Sequence, residues 1–121
     1  MAGVLSGLLL AGCSVGPGAT PTGVPPVRIT IVTAPGETLA YVPAQATVVT
    51  SGGVAVALEN RSTLAHNLVF AAPLDAATRT IVEPGTGDQV LLAALPPGSY
   101  AFMCTIHAGM TGVLIAGNAA P

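Results

Sequence analysis

The chain has 121 residues, enough for one domain, and carries a formal net charge of −2 with no lysine. Hydrophobic residues make up 51% of it but aromatic residues only 3%, so any core must consist mainly of small and β-branched side chains, which favour strands. The charge balance excludes the basic footprint of a nucleic-acid-binding protein. The common sequence motifs of phosphate loops, serine hydrolases and zinc proteases are absent.

The first predicted element is an apolar leader, VLSGLLLAGC, which ends in Leu10-Ala11-Gly12-Cys13. It is shorter than the roughly 20 residues that a transmembrane helix needs, but it matches the apolar region of a secretory signal. Its last four residues resemble a bacterial lipobox, in which the cysteine is acylated and becomes the new amino terminus. We predict that residues 1–13 are a signal peptide ending in a lipidated Cys13, although no basic residue precedes the apolar run. A plain signal peptide with an incidental cysteine is the alternative.

A tether is predicted to follow the leader. Residues 14–26, SVGPGATPTGVPP, contain four prolines, three glycines and no charge, which is typical of a semi-extended linker. We therefore expect an exported protein, periplasmic or on the cell surface, that is attached to the membrane through the lipid on Cys13. The remaining residues, 27–121, form the predicted domain, and Cys104 is its only thiol. An unpaired thiol in an oxidising compartment indicates a metal, a partner or deep burial.

The domain is predicted to be all-β. Short alternating or apolar runs are separated by turn clusters such as APGE, TSGG, EPGTGD and PPGS, and no segment keeps a helical period over three turns. The predicted strands cover residues 27–32, 39–42, 46–50, 54–60, 67–71, 89–95, 98–104 and 112–117. This pattern predicts an antiparallel Greek-key β-sandwich or barrel of seven to eight strands.

The stretch YAFMCTIHAGM carries Cys104, His107 and Met110 with the spacing C-x2-H-x2-M, although the whole chain has only two histidines, two cysteines and three methionines. Cys104 ends a predicted strand, and a tight loop follows that lets the three side chains converge. Soft sulfur ligands favour copper, and two histidines, a cysteine and a weak axial methionine form the blue-copper electron-transfer site.

The second histidine of such a site can only be His66, in STLAHNLVF. Met103 is the one other sulfur candidate beyond the leader, but it alternates away from Cys104 on the strand, so we predict it to be a core residue and Met110 to be the axial ligand. Taken singly, His66, Cys104 and Met110 would each be ordinary core residues. Their combination at this spacing predicts a metal site.

Two segments resemble the cupredoxins, the small blue-copper family that includes plastocyanin, azurin and amicyanin. YVPAQATVVTSGGVAVALENRSTLAHN is similar to the family's aromatic-x-Pro start, its strand ending in asparagine and its His-Asn pair. LPPGSYAFMCTIHAGMTGVLIAG is similar to its G-x-Y-x-F-x-C strand, ligand loop and closing strand. The resemblance covers residues 27 to about 117, and the short loop is most like that of amicyanin. Ile106 stands where a proline often follows the loop's Cys-Thr, and Ala108 and Gly109 are smaller than in amicyanin.

The resemblance implies one copper per chain, held by His66, Cys104 and His107 in the equatorial plane and by Met110 on the axis. It also implies that the amide of Asn67 bonds the cysteine sulfur and that its side chain ties the two ligand loops together, with Thr105 as its partner. Such contacts orient ligands and tune a metal. Ordinary turn chemistry is the alternative explanation for these two residues.

The predicted function is one-electron transfer outside the cytoplasm by a protein that is not an enzyme and is a monomer. The resemblance implies that a redox partner docks near His107, and the nearly uncharged chain predicts apolar contact with little electrostatic steering. A copper carrier or storage protein could use the same ligands. A zinc site has no need of the thioether, and a purely structural sandwich leaves the clustering of ligands unexplained.

Overall fold

The computed structural model describes residues 26–49 and 52–117 of the chain. The predicted signal peptide with Cys13, and all of the predicted tether except its last residue, lie outside the described residues. Among the described residues there is no helix with the length and apolarity needed to cross a bilayer. The strands are β1 (Val27–Thr33), β2 (Tyr41–Val42), β3 (Gln45–Val49), β4 (Val54–Glu59), β5 (Val69–Phe70), β6 (Gly87–Leu92), β7 (Gly98–Met103) and β8 (Thr111–Gly117).

The strands form two four-stranded sheets, with the orders β2-β1-β4-β6 and β3-β8-β7-β5. The predicted all-β sandwich and its number of strands are confirmed, but the pairing is not antiparallel throughout. β1 pairs with β4, and β3 pairs with β8, in parallel. Parallel neighbours need a crossover between them. The chain provides one by leaving the first sheet after β2, adding β3 to the second sheet and returning as β4.

The longer predicted strands are found within a few residues of their expected ends. The segments predicted at 39–42 and 67–71 shrink to the two-residue strands β2 and β5, because their first residues belong to irregular loops. One of these loops is fixed by its own backbone bond, from the Ala40 N–H to the Thr38 carbonyl, 3.1 Å. The predicted 89–95 strand begins earlier, at Gly87, and ends at Leu92.

The core lies between the two sheets and includes a small aromatic cluster. Phe102 packs edge-on against Tyr41 and Phe70, with ring centroids 5.0 and 5.4 Å apart. Gly112, on the neighbouring strand, allows this ring to lie close, because a Cβ atom at that position would collide with it. The largest fully buried side chains include Phe70, Phe102, Ile31, Leu58, Leu68, Met110, Leu114 and His66.

The strand directions place both predicted ligand segments at one end of the sandwich. β4 ends at Glu59 and leads to the His66 loop, while β7 ends at Met103 and leads directly to Cys104. Because β1 runs parallel to β4, the domain begins at the opposite end, where the Val27 N–H bonds the Gly53 carbonyl at 2.9 Å. The chain therefore enters the sandwich at the end away from the candidate site.

Candidate metal centre

Cys104 begins the short loop that follows β7. Its thiol is in no disulfide and its side chain is buried. The loop closes on itself, because the Cys104 N–H bonds the Met110 carbonyl at 3.0 Å and the Met110 N–H bonds the His107 carbonyl at 3.3 Å. Gly109 makes this turn at φ 87°, a left-handed conformation that glycine adopts without strain. The loop thus presents its donor groups on a compact, self-bonded frame.

His66 reaches the same point from the long loop between β4 and β5. Its backbone is paired with Val82 in both directions, N–H to carbonyl, at 3.2 and 2.9 Å. The imidazole is completely buried, and its Nε2 has no hydrogen-bond partner among the described residues. The backbone pairing therefore fixes the main chain of His66, and the other ring nitrogen, Nδ1, lies 3.8 Å from the Cys104 sulfur.

The three donor atoms of His66, Cys104 and His107 lie within 4.8 Å of one another. The Cys104 Sγ is 3.8 Å from Nδ1 of His66 and 3.9 Å from Nδ1 of His107. Metal–ligand bonds of about 2.0–2.1 Å to nitrogen and about 2.3 Å to sulfur, at 120°, separate nitrogen and sulfur by about 3.8 Å. The two nitrogen–sulfur distances therefore fit one ion between these atoms.

The two methionines near the site lie in different environments. Met110 is 1% exposed and packs in the buried cluster that also contains Cys104, so its thioether lies on the inner side of the loop. Met103 points away from Cys104, as its place in the strand predicts, but it is 40% exposed and not the core residue that was expected. The outer face of its sheet carries no covering layer among the described residues, so alternation away from the core leads here to solvent.

Burial lowers the pKa of His66 from its ordinary value of 6.5, and the neighbouring His107 lowers it further. A depressed pKa keeps the imidazole neutral at pH 7, which is the form that can bind a metal. The position and the protonation state of this side chain therefore agree with a ligand role.

Asn67 and Thr105 join the two loops that carry the donors. The Asn67 side-chain amide donates to Thr105 Oγ1 at 2.8 Å, and the Thr105 N–H donates to Asn67 Oδ1 at 2.9 Å. The Asn67 amide also donates to the Thr80 carbonyl at 2.9 Å. The described hydrogen bonds include none from the Asn67 backbone amide to the Cys104 sulfur, so the loops are linked through the asparagine side chain.

Asn60 was not predicted to contribute to the site. It is buried, its Nδ2 donates to the Leu64 and Val82 carbonyls at 2.8 Å each, and its Oδ1 accepts from Thr33 Oγ1, also at 2.8 Å. The Val82 carbonyl is the same one that accepts from the His66 N–H. Asn60 therefore supports the strand segment against which His66 is held. Its place at the end of a predicted strand gave no signal of these partners.

Tyr41 was also missed as part of the site, although it opens the aromatic-x-Pro motif. Its ring is buried, and its hydroxyl donates to the Asn67 carbonyl at 2.6 Å. Burial raises the pKa of this hydroxyl, so it remains a donor. A contact between residues 26 positions apart leaves no local sequence pattern.

The surface above the site is formed by the same short loop. His107 is half-buried, and Ile106, 36% exposed, precedes it, while Ala108 and Gly109 follow and are exposed. Residues 104–110 include no charged side chain. Among the donors, His107 is therefore the one whose side chain reaches an uncharged surface.

Comparison with known proteins identifies the family. Residues 5–116 match the family model of the cupredoxin-like domain, so the chain belongs to the cupredoxin-like family. No curated protein matches it. Among solved structures, dithionite-reduced auracyanin from Roseiflexus castenholzii is 28% identical, with a TM-score of 0.63 over 75% of this chain and 97% of that one.

Two more distant structures share the fold. Auracyanin A from Chloroflexus aurantiacus, described as a "blue" copper protein, is 20% identical, with a TM-score of 0.64 over 77% of this chain and 100% of that one. A reduced Cu(I) form of an amicyanin variant is 22% identical, with a TM-score of 0.59 over 89% of this chain and 90% of that one. The predicted family and fold class are thereby confirmed.

The fold and the cluster together define the class of protein. A cupredoxin sandwich with a histidine, cysteine, histidine and methionine at one end fits one copper ion per chain. Such a site suggests a blue copper electron carrier, as copper with this donor set transfers electrons.

Proposed function

We propose that this protein is a type 1 copper electron carrier that works outside the cytoplasm. In this proposal His66, Cys104 and His107 are the equatorial ligands and Met110 the axial one. The observation that carries it is the convergence of two histidine Nδ1 atoms on one buried thiol sulfur, at 3.8 and 3.9 Å. Bound copper would supply a one-electron couple, and the protein would supply fixed ligands.

The surroundings of the donors suit electron transfer better than bond-making chemistry. The two ligand segments are joined by the Asn67–Thr105 pair, and His66 is held by Val82 on its other side. Donors that cannot move apart keep the geometry similar in both oxidation states. None of the acidic side chains lies in the 104–110 loop. We therefore propose a carrier and not an enzyme.

The redox partner is proposed to dock at the His107 end. The half-buried imidazole lies between the metal donors and the surface, and the loop around it, Ile106 to Gly109, has no charge to steer or repel a partner. A partner with an uncharged, apolar surface would bring its own redox group closest to Cys104 here. We propose that the protein acts as a monomer in this exchange.

Lipidation at Cys13 and export are part of the same proposal. The domain begins at Val27, at the end opposite the metal centre, so a tether attached there leaves the His107 end pointing away from its anchor. If it is extended as its prolines favour, a 13-residue segment of this composition would reach roughly 40 Å at about 3.1 Å per residue. We expect Cys13→Ala to move the protein from the membrane fraction to the soluble fraction without changing its copper spectrum. Retention in the membrane fraction would indicate an uncleaved apolar anchor.

The experiment that tests the function is copper titration followed by voltammetry on the purified protein. We expect saturation at one copper per chain and a reversible one-electron wave. A copper carrier would instead release the ion to a Cu(I) chelator as soon as it is reduced. Rapid loss of copper on reduction, with no reversible wave, would replace electron transfer by metal delivery.

A further inference from the structure

Tyr41 touches both segments that supply the metal donors. Its hydroxyl bonds the carbonyl of Asn67, the residue after His66, at 2.6 Å. Its ring packs edge-on against Phe102, two residues before Cys104, with centroids 5.0 Å apart. Tyr41 itself belongs to the other sheet, where it pairs with Thr33 at the end of β1. One buried side chain therefore connects the two sheets at the end that holds the site.

The hydroxyl of Tyr41 is a permanent donor. Its ring is only 2% exposed, and burial raises its pKa well above the ordinary value of 10.0. A buried carbonyl that loses such a donor has no access to water and must find a new partner or remain unsatisfied. The Asn67 carbonyl therefore depends on this contact for its position.

We propose that Tyr41 is a positioning residue of the metal centre, which acts through Asn67 to hold the His66 segment against the Cys104 loop. That Tyr41 acts on a metal centre rests on the proposed function, but its hydrogen bond and its packing do not depend on bound copper. The path is short: the Tyr41 hydroxyl fixes the Asn67 backbone, and the Asn67 side chain bonds Thr105 twice. Thr105 is the residue that follows Cys104.

The restraint has a direct consequence for the site. If the Asn67 backbone shifts, the asparagine side chain cannot keep both bonds to Thr105 at 2.8 and 2.9 Å while His66 stays in place. The two Nδ1–Sγ distances are then less well defined. A copper site with less defined ligands reorganises more on electron transfer, so its exchange rate falls.

The chain offers a matched control for this contact. Tyr100 donates to the Pro96 carbonyl, also at 2.6 Å, but this bond is exposed and lies in the segment that enters β7, away from the ligand loop. Tyr41→Phe and Tyr100→Phe each remove one hydroxyl and one bond to a backbone carbonyl. Only the first removes a restraint on the metal centre.

The first test uses the copper-free protein and does not depend on its function. Amide hydrogen exchange of the Thr105 N–H, followed by NMR, reports whether its bond to Asn67 persists. We expect Tyr41→Phe, which retains the ring packed on Phe102, to exchange this amide at least severalfold faster than the wild type. Tyr100→Phe should leave it unchanged. Unchanged protection of Thr105 in Tyr41→Phe would overturn the proposal.

The second test uses the copper-loaded protein and measures electron self-exchange and the visible spectrum. We expect Tyr41→Phe to exchange electrons severalfold more slowly and to show altered relative band intensities, with neither change in Tyr100→Phe. Equal values for both variants would show that Tyr41 contributes to folding only. If Thr105 loses protection but the wild type binds no copper, the positioning role stands and the proposed function fails.

Discussion

The two segments that bring histidines to the site are built in opposite ways. In the first, residues 60–67, the histidine is enclosed by protein: His66 is fully buried, paired with Val82 and backed by Asn60. The second, residues 104–110, is a short loop with two internal backbone bonds, and His107 reaches the surface between exposed residues. The difference shows that His66 is enclosed by the fold, whereas His107 lies between the candidate metal centre and the protein surface.

The largest effect should come from exchanging the two histidines for smaller residues. We expect His66→Ala and His107→Ala each to abolish the normal blue spectrum of the copper-loaded protein, because each removes a proposed equatorial ligand. Added imidazole should restore the spectrum only in His107→Ala, where the missing side chain leaves a gap that solvent can reach. Titration with imidazole under visible absorption measures this, and equal restoration of both variants would contradict the contrast between a closed and an open donor.

The polar support of the first segment should be worth more than any side chain on the surface of the second. Asn60→Ala removes four hydrogen bonds, leaving the buried Thr33 hydroxyl without its acceptor and the part-buried Leu64 carbonyl without its side-chain donor. Leaving one such group unsatisfied lowers the free energy of unfolding by about 1–3 kcal/mol. In the second segment Ile106→Ala, at an exposed position, should change it by no more than about 0.5 kcal/mol. Urea unfolding of the copper-free proteins measures the free energy of unfolding of both variants. Similar losses in Asn60→Ala and Ile106→Ala would contradict the expected difference between the two segments.

The two methionines provide a smaller and more specific comparison. Met110→Gln should keep copper bound but lower the reduction potential, because an amide oxygen is a harder ligand than a thioether and favours Cu(II). Met103→Leu lies on the exposed outer face and should leave the potential unchanged, with a stability change within about 0.5 kcal/mol. Voltammetry on both variants decides the assignment. A shift of the reduction potential in Met103→Leu but not in Met110→Gln would mean that Met110 is not the axial ligand.

The smallest effect concerns pH and belongs to the buried histidine. Because burial holds the folded-state pKa of His66 below 6.5, the unfolded chain takes up a proton first as the pH falls. The copper-free protein should therefore lose stability as the pH falls from 6.5 to the lower folded-state pKa of His66. Below that pKa, His66 should cause no further change in stability. Urea unfolding across this range should show a weaker pH dependence in His66→Ala than in the wild type. An identical dependence would assign the effect to other groups.

The class of fold and the position of the site could be predicted from the sequence because their signals are local. Alternation over six or seven residues marks β1, β4 and β7, a short apolar run marks β8, and the C-x2-H-x2-M spacing places three donors on one loop. The chain has only one other histidine, so His66 could be assigned to the site by elimination.

The sheet order and the supporting residues could not be predicted in the same way. Alternation shows which residues share a face, but not which strand lies beside which, so the parallel pairs β1–β4 and β3–β8 were missed. It also does not show which face is covered, and Met103 was placed in the core for that reason. Asn60 and Tyr41 act through partners brought near by the fold, and those contacts exist only once both sheets are packed.

The most direct test of the account is the visible absorption spectrum of the copper-loaded wild type beside that of Cys104→Ser. We predict an intense blue band in the wild type, because a thiolate bound to Cu(II) gives strong charge transfer, and its complete loss when the sulfur is replaced by oxygen. A wild type that binds copper without this band, or a Cys104→Ser variant that keeps it, would contradict a type 1 copper centre built on Cys104.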